Sequence, residues 1–292
     1  MLLDRLASFV NALSEIPDLG FKHMPPSLTD SAKASYLLSA ASIDEQGNAD
    51  RIHQLHREVW DKMGTELVSP TEATFSRLRD LVHELYSRTP PGRWIGIETA
   101  SKCITSAVNY AVRAGDMIRH AAQFHKPKEM VEDIVTHVYR MGVTPGSAQK
   151  KVWMYMRWMV RPEPDLHLFS NFDPADLFLP LDSNVGRALD LIARRSPGDQ
   201  DLTKLPREKS GKIKKNWKCV EVATNFARRL LPNDPARMDY ALFLLGRSRA
   251  GSPGESCRVV LSECALGELL DCNCSLRGGV DFRLRRLTFT GS

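Results

Sequence analysis

The segment that most constrains this chain runs over residues 129–161. Met130, Ile134, Val138 and Met141 recur at helical spacing, and Gly142 is a natural stop because glycine takes a positive φ without strain. Pro145 and Gly146 then force a turn. Ser147 is a good N-cap, so a second helix is expected to start at Ala148 and to run to about Arg161. The expectation is two helices joined by a short glycine hairpin, Gly142-Val143-Thr144-Pro145-Gly146.

Such a joint has a chemical use. Turn amides and the positive end of the following helix can hold a phosphate oxygen without reading a base, which makes Gly142, Thr144 and Gly146 candidate phosphate-binding positions. At about 100° per residue, Lys150, Met154, Arg157 and Arg161 share one stripe, while Val152, Tyr155, Met156 and Met159 point to the opposite side. The stripe reads as a wet, basic face, with Lys151 and Arg157 as further phosphate contacts. Lys150 feels the positive helix end and its basic neighbours, so its pKa is expected to fall. A neutral amine is a nucleophile, although phosphate contact alone would also explain a lysine pair here.

Asp182 stands 32 positions after Lys150. It follows the apolar approach Leu179-Pro180-Leu181 and precedes the periodic Val185, Leu189 and Ile192, so it reads as a helix N-cap. A carboxylate held rigidly there can also stabilise an oxocarbenium ion at a deoxyribose or accept a proton from an attacking lysine. The sequence leaves capping and catalysis both open.

Taken together, the hairpin, the Lys150 helix and Leu181-Asp182-Ser183-Asn184-Val185-Gly186-Arg187 resemble the helix-hairpin-helix DNA glycosylase superfamily, in which a lysine and an aspartate form the catalytic pair. The 32-residue separation is similar to that of the archaeal GO glycosylases, which remove 8-oxoguanine, and a related family of bacterial proteins shares the pattern from Lys150 to Arg161. The resemblance covers residues 30–250. It implies that Lys150 and Asp182 are catalytic, and that Asp239 and Phe243, in a segment resembling the late helix of the archaeal family, meet the flipped base. Phe243 stands where that branch has tryptophan, keeping a stacking face but losing an indole donor; its apolar neighbours make a core position an equal reading. His53 falls where the branch has an aromatic base contact, and a surface histidine on an amphipathic helix is the plainer account. No counterpart of the family's base-reading glutamine is found near the N-terminus.

Composition agrees with this class. A chain of 292 residues, 42% of them hydrophobic, can bury a substantial core, and its net charge of +5 and pI near 8.9 suit a polyanionic partner. Lys204, Arg207, Lys209, Lys212, Lys214, Lys215 and Lys218 crowd a stretch broken by Pro206 and Ser210-Gly211 and read as a mobile basic loop. No uninterrupted apolar run is long enough to span a bilayer, and the opening Met-Leu-Leu-Asp-Arg is unlike a signal peptide. A cytoplasmic, nucleoid-associated monomer with no membrane contact is expected.

Apolar residues recur at helical spacing over 2–13, 71–85 and 97–122, and only 280–289 alternates as a strand would. The expected fold is therefore all-α, a two-subdomain helical helix-hairpin-helix glycosylase fold with a short C-terminal strand. Residues 1–65 and 190–292 would form one subdomain and 66–189 the other. Cys257, Cys264, Cys272 and Cys274 lie close together, with six, seven and one residues between them. The six-residue interval matches the iron-sulfur pattern of some glycosylases and the other two do not, so a structural metal or iron-sulfur site stands beside free thiols or a redox-dependent disulfide. The chemistry itself requires no cofactor. The reading is a bifunctional glycosylase and AP lyase that excises oxidised guanine from double-stranded DNA by base flipping. Its alternatives are a catalytically silent nucleic-acid-binding module and a glycosylase for another modified base.

Overall fold

A computed structural model describes residues 4, 6, 7, 10, 11, 17–45, 47–68, 70–88, 90–142 and 146–248. The expected strand at 280–289 and the four late cysteines lie outside these residues, as do Val143, Thr144 and Pro145 of the hairpin. The described chain is all-α. Its helices are α1 (Leu19–Lys22), α2 (Asp30–Ile43), α3 (Ala49–Val68), α4 (Glu72–Arg88), α5 (Ile97–Ala114), α6 (Met117–Ala121), α7 (Pro127–His137), α8 (Lys150–Val160), α9 (Ser183–Arg195), α10 (Trp217–Leu230) and α11 (Met238–Ser248). Only two isolated β-bridges, Ser147 with Asn216 and Arg207 with Ile213, interrupt this pattern among the described residues.

Two helices are buried on nearly every side, and both are nearly free of strong helix breakers. In α2, Ala34 and every residue from Tyr36 to Ile43 are buried. Its small residues let neighbours approach closely, and its buried hydroxyls are satisfied locally: Ser39 Oγ donates to the Tyr36 carbonyl at 2.9 Å and Ser42 Oγ to the Ser39 carbonyl at 2.6 Å. In α8, all ten residues from Lys151 to Val160 are buried. α2 packs against α5 and against α8, so the two central helices meet inside the first apolar cluster.

That cluster runs from Ala34 to Leu177, with Ala236 added from before α11, and contains α2 to α8. The second cluster gathers Leu6, Val10 and Ala148 with Leu179 to Leu245, hence α9, α10 and α11. The expected partition is corrected on two points. α2 and α3 pack with the middle of the chain and not with its C-terminal helices, because their apolar faces are matched by α4 and α5; and the divide on the C-terminal side falls near Phe178, which touches both clusters. The predicted helix over 97–122 is also cut in two, because Gly115, with φ +70°, closes α5 through its amide.

The closest helix contact joins α9 and α11. A β-carbon on Gly246 would lie 1.8 Å from the Asn184 carbonyl oxygen, so only glycine lets the last turn of α11 cross the first turn of α9. Gly246→Ala is expected to cost about 1–3 kcal/mol or more, as overpacking does, and to disturb the cap at Asp182 two residues away. Chemical denaturation checks this, and an unchanged midpoint would sink it.

Candidate functional site

Lys150 is the first residue of α8, but the cap is not the one expected. Gln149 occupies the N-cap with φ +47° and ψ +35°, a left-handed conformation that cannot continue a helix, while Ser147 and Ala148 stay outside. Ser147 instead pairs with Asn216, and the Gly146 carbonyl accepts from Trp217 N at 2.9 Å. The preceding helix is likewise shorter than predicted and ends at His137. Gly142 is needed for space: a β-carbon there would fall 2.3 Å from Val135 Cγ1. Gly146 carries φ +80° with open space around it, which fits an exposed turn amide.

The stripe Lys150, Arg157 and Arg161 is not a wet basic face. Arg157 is 2% exposed and donates to Asp239 Oδ2 at 2.7 Å and to Asp18, with Asp165 at 3.9 Å. Arg161 grips Asp234 through Nε at 2.8 and 2.9 Å and also reaches Asp165. Lys151 points inward, donating to the Ser42 carbonyl at 2.8 Å and to Glu45 at 3.4 Å, and burial lowers its pKa. The phosphate role expected for Lys151 and Arg157 is therefore corrected. Both are interior cations, Arg157 paired with carboxylates and Lys151 with a carboxylate and a carbonyl, since the first cluster and the acids at Asp18, Asp239 and the loop after α8 close over that side of the helix.

Lys150 itself is the cation of this helix that stays partly accessible, with its side chain 27% exposed. Its Nζ donates to Asp44 Oδ2 at 2.7 Å. Burial disfavours the ammonium, but the nearby carboxylates of Asp44, Asp182 and Asp239 outweigh it and raise the pKa above the ordinary lysine value. The predicted fall is overturned because tertiary structure brings carboxylates to the helix start, and their charges exceed the effect of the helix end. Asp44 ends α2 as its C-cap, so the buried cores of α2 and α8 set the Lys150–Asp44 contact. Burial pushes the Asp44 carboxyl up, and Lys150 more than compensates, leaving it below the usual range.

Asp182 is the N-cap of α9, as its neighbours predict. Its Oδ1 accepts from Asn184 N at 2.7 Å and Val185 N at 2.8 Å, while Oδ2 receives only a long 3.3 Å bond from Asn184 Nδ2. One carboxylate oxygen is thus bound into the cap and the other is left with spare acceptor capacity. The Asp182 carboxylate contributes to raising the Lys150 pKa, so the tertiary structure brings the two residues near each other.

Asp239 joins them from the first turn of α11. It is buried, and burial, with the repulsion of Asp182 and Asp18, pushes its pKa up to about 7 in spite of Arg157. Phe243, one turn later, is half-buried and stacks on Tyr240 with ring centroids 6.4 Å apart. His53 departs from the surface reading. It is buried beside Trp158, its pKa is lowered by burial in spite of Asp44 and Asp18, and its Nδ1 lacks a hydrogen-bond partner. Asp44, Asp18, Asp165 and Asp234 were not read from the sequence. The available signal was Asp44 itself, a carboxylate closing an apolar helix with no local cation.

One pH effect follows from Asp239. Its folded pKa of about 7 exceeds the ordinary 3.8, so the folded state holds this proton more tightly; the group's favourable contribution is complete below 3.8 and is lost as pH rises through 7. Asp239→Asn is expected to remove that loss. Melting curves of both proteins between pH 4 and 8 should diverge as the wild type falls away, and parallel curves would refute the assignment.

Residues 29–248 match the family described as protein of unknown function, DUF2400. The chain belongs to this family. No curated protein and no solved structure matches it. The DUF2400 match begins at Thr29, the N-cap of α2, and ends with α11, and it includes Lys150, Asp44, Asp182 and Asp239. Asp18 precedes the matched span yet supplies one of the acids around Arg157. No helix among the described residues of this DUF2400 member is long and apolar enough to cross a membrane, and no group of side chains among them is arranged to hold a metal ion.

Proposed function

We propose that this DUF2400 member is a bifunctional DNA glycosylase and AP lyase acting on an oxidised purine such as 8-oxoguanine. The observation that carries the reading is the placement of Lys150: a partly accessible amine at a helix start, directly after a glycine turn, hydrogen-bonded to Asp44 and electrostatically coupled to Asp182 and Asp239.

The chemistry assigns each group a step. Asp44, in contact with Nζ, takes the lysine proton when substrate arrives; the freed lone pair attacks C1′ of the extruded nucleotide as the glycosidic bond breaks and its electrons leave with the base. The capped Asp182, with its spare Oδ2, stabilises the positive charge that develops on the sugar. The C1′–O4′ bond then breaks, O4′ taking up the proton held by Asp44, to leave an imine to Lys150; loss of a C2′ proton to solvent eliminates the C3′ phosphate and cuts the strand. Asp239 is a hydrogen-bonding partner for the base, able to donate when protonated and to accept when ionised. Phe243 and Tyr240 supply the apolar border.

A second reading is supported by the raised pKa of Lys150. A lysine held as ammonium suits a nucleic-acid-binding module that performs no chemistry. Borohydride trapping separates the two. The protein is incubated with labelled duplex containing 8-oxoguanine opposite cytosine, and a covalent complex absent on undamaged duplex supports the enzyme. Salt-dependent binding with no adduct favours the silent module, and an adduct on a different lesion redirects the substrate.

A further inference from the structure

The seven basic residues between Lys204 and Lys218 form a built element and not a free loop. Glu208 N donates to the Lys212 carbonyl at 2.8 Å, Gly211 N to the Glu208 carbonyl at 2.9 Å and Lys214 N to the Pro206 carbonyl at 2.9 Å, closing a tight turn around the Arg207–Ile213 bridge. Arg207 fastens it sideways to the Gly211 carbonyl at 2.8 Å and to Asp190 at 2.5 Å, and buried Ile213 roots it in the second apolar cluster.

Its far end is tied to the candidate site. Ser147 bridges Asn216 and Trp217 N donates to the Gly146 carbonyl, so the arm runs beside the glycine hairpin. Trp217 packs on Phe178 at 4.8 Å and on Trp153 of α8 at 6.1 Å, which couples the arm to the helix that begins with Lys150. Lys215 Nζ lies 3.3 Å from Ser183 Oγ, next to Asp182. Lys209, Lys212, Lys214, Lys215 and Lys218 are all exposed. Glu208 is the single acid in this run, and its carboxylate accepts from Ser210 Oγ at 3.2 Å.

We propose that residues 206–218 are an arm that grips the phosphodiester backbone of duplex DNA flanking the candidate site. Exposed lysines along one hydrogen-bonded turn present a cluster of positive charge to a polyanionic backbone, and their continuity with Gly146, Ser147 and the Asp182 helix start directs the bound strand toward Lys150. Such contacts position the duplex and carry no base information. The proposal rests on the glycosylase reading for what happens at Lys150, but the grip itself is measurable without chemistry.

The test is equilibrium binding to an undamaged duplex across a salt series, with the full chain carrying Lys212→Gln, Lys214→Gln and Lys215→Gln. Losing three phosphate contacts should weaken binding on the order of tenfold or more at low salt and reduce the salt slope by roughly 2–3. As a control for net charge, Lys62→Gln, Arg79→Gln and Lys102→Gln on α3, α4 and α5 should leave the slope unchanged. An unchanged slope in the arm variant, an equal drop in the control, or tighter arm-dependent binding of single-stranded DNA or RNA would overturn the proposal. Arm-dependent duplex binding by a protein that traps no lesion supports the arm while sinking the enzyme reading; trapping that is indifferent to the arm variant, with unchanged affinity, does the reverse.

Discussion

Lys150→Gln is expected to reduce the borohydride-trapped complex on a lesion-bearing duplex by on the order of 10³-fold or more, because the nucleophile is removed and no other group replaces it. Duplex affinity should change far less. Glutamine lacks the charge, so a buried carboxylate loses its cation and the melting temperature should fall near neutral pH. Asp44 is held below the usual carboxylate range by Lys150. Its contribution is therefore present above the ordinary value and lost as pH falls through the lowered one, which predicts that wild type and variant converge in acid. Trapping is accordingly compared at a temperature where both proteins are folded. Undiminished trapping in the variant would remove Lys150 from the mechanism.

Arg157→Met carries the largest expected loss of stability. The guanidinium is 2% exposed and faces Asp18, Asp239 and Asp165, so its removal takes the cation from Asp18 and Asp239, while Asp165 keeps Arg161. Breaking a buried pair by deleting one partner costs about 3–5 kcal/mol. The stranded acids would relieve the charge by protonation. Burial already raises Asp165 and Asp239 above the ordinary value, and without the arginine both should rise further. Their contribution is favourable below the ordinary carboxylate pKa and is lost as pH climbs through the raised one. Urea denaturation should therefore show a larger deficit at pH 8 than at pH 5. Arg157→Lys should fall between the two, keeping the charge but not the planar fork that reaches several acids. A small deficit independent of pH would mean that the network is not what holds α1, α8 and α11 together.

Much of this protein is legible without coordinates, and the reason is local. Helix periodicity and the N-cap at Asp182 follow from backbone preferences and short-range hydrogen bonds, so the all-α class, the place of Lys150 near a helix start and the capping role of Asp182 can be read from neighbours in the chain, whereas the stop expected at Gly142 falls at His137. Arg157 and Lys151 could not be read in this way. A stripe of cations at helical spacing looks solvated until the acids that cover it are known, and those acids come from distant segments: Asp18 from before α1, Asp44 and Glu45 from the end of α2, Asp165 from the loop after α8, Asp234 from the segment before α11 and Asp239 from its first turn. The same long-range approach reversed the expected pKa shift of Lys150 and brought the basic arm against the glycine hairpin. The sequence by itself determined the helical class, the approximate position of the helices and the cap at Asp182. Only the tertiary structure decided which charges are buried together, because Coulomb energy depends on distance and desolvation in space, and neither is written in the spacing along the chain.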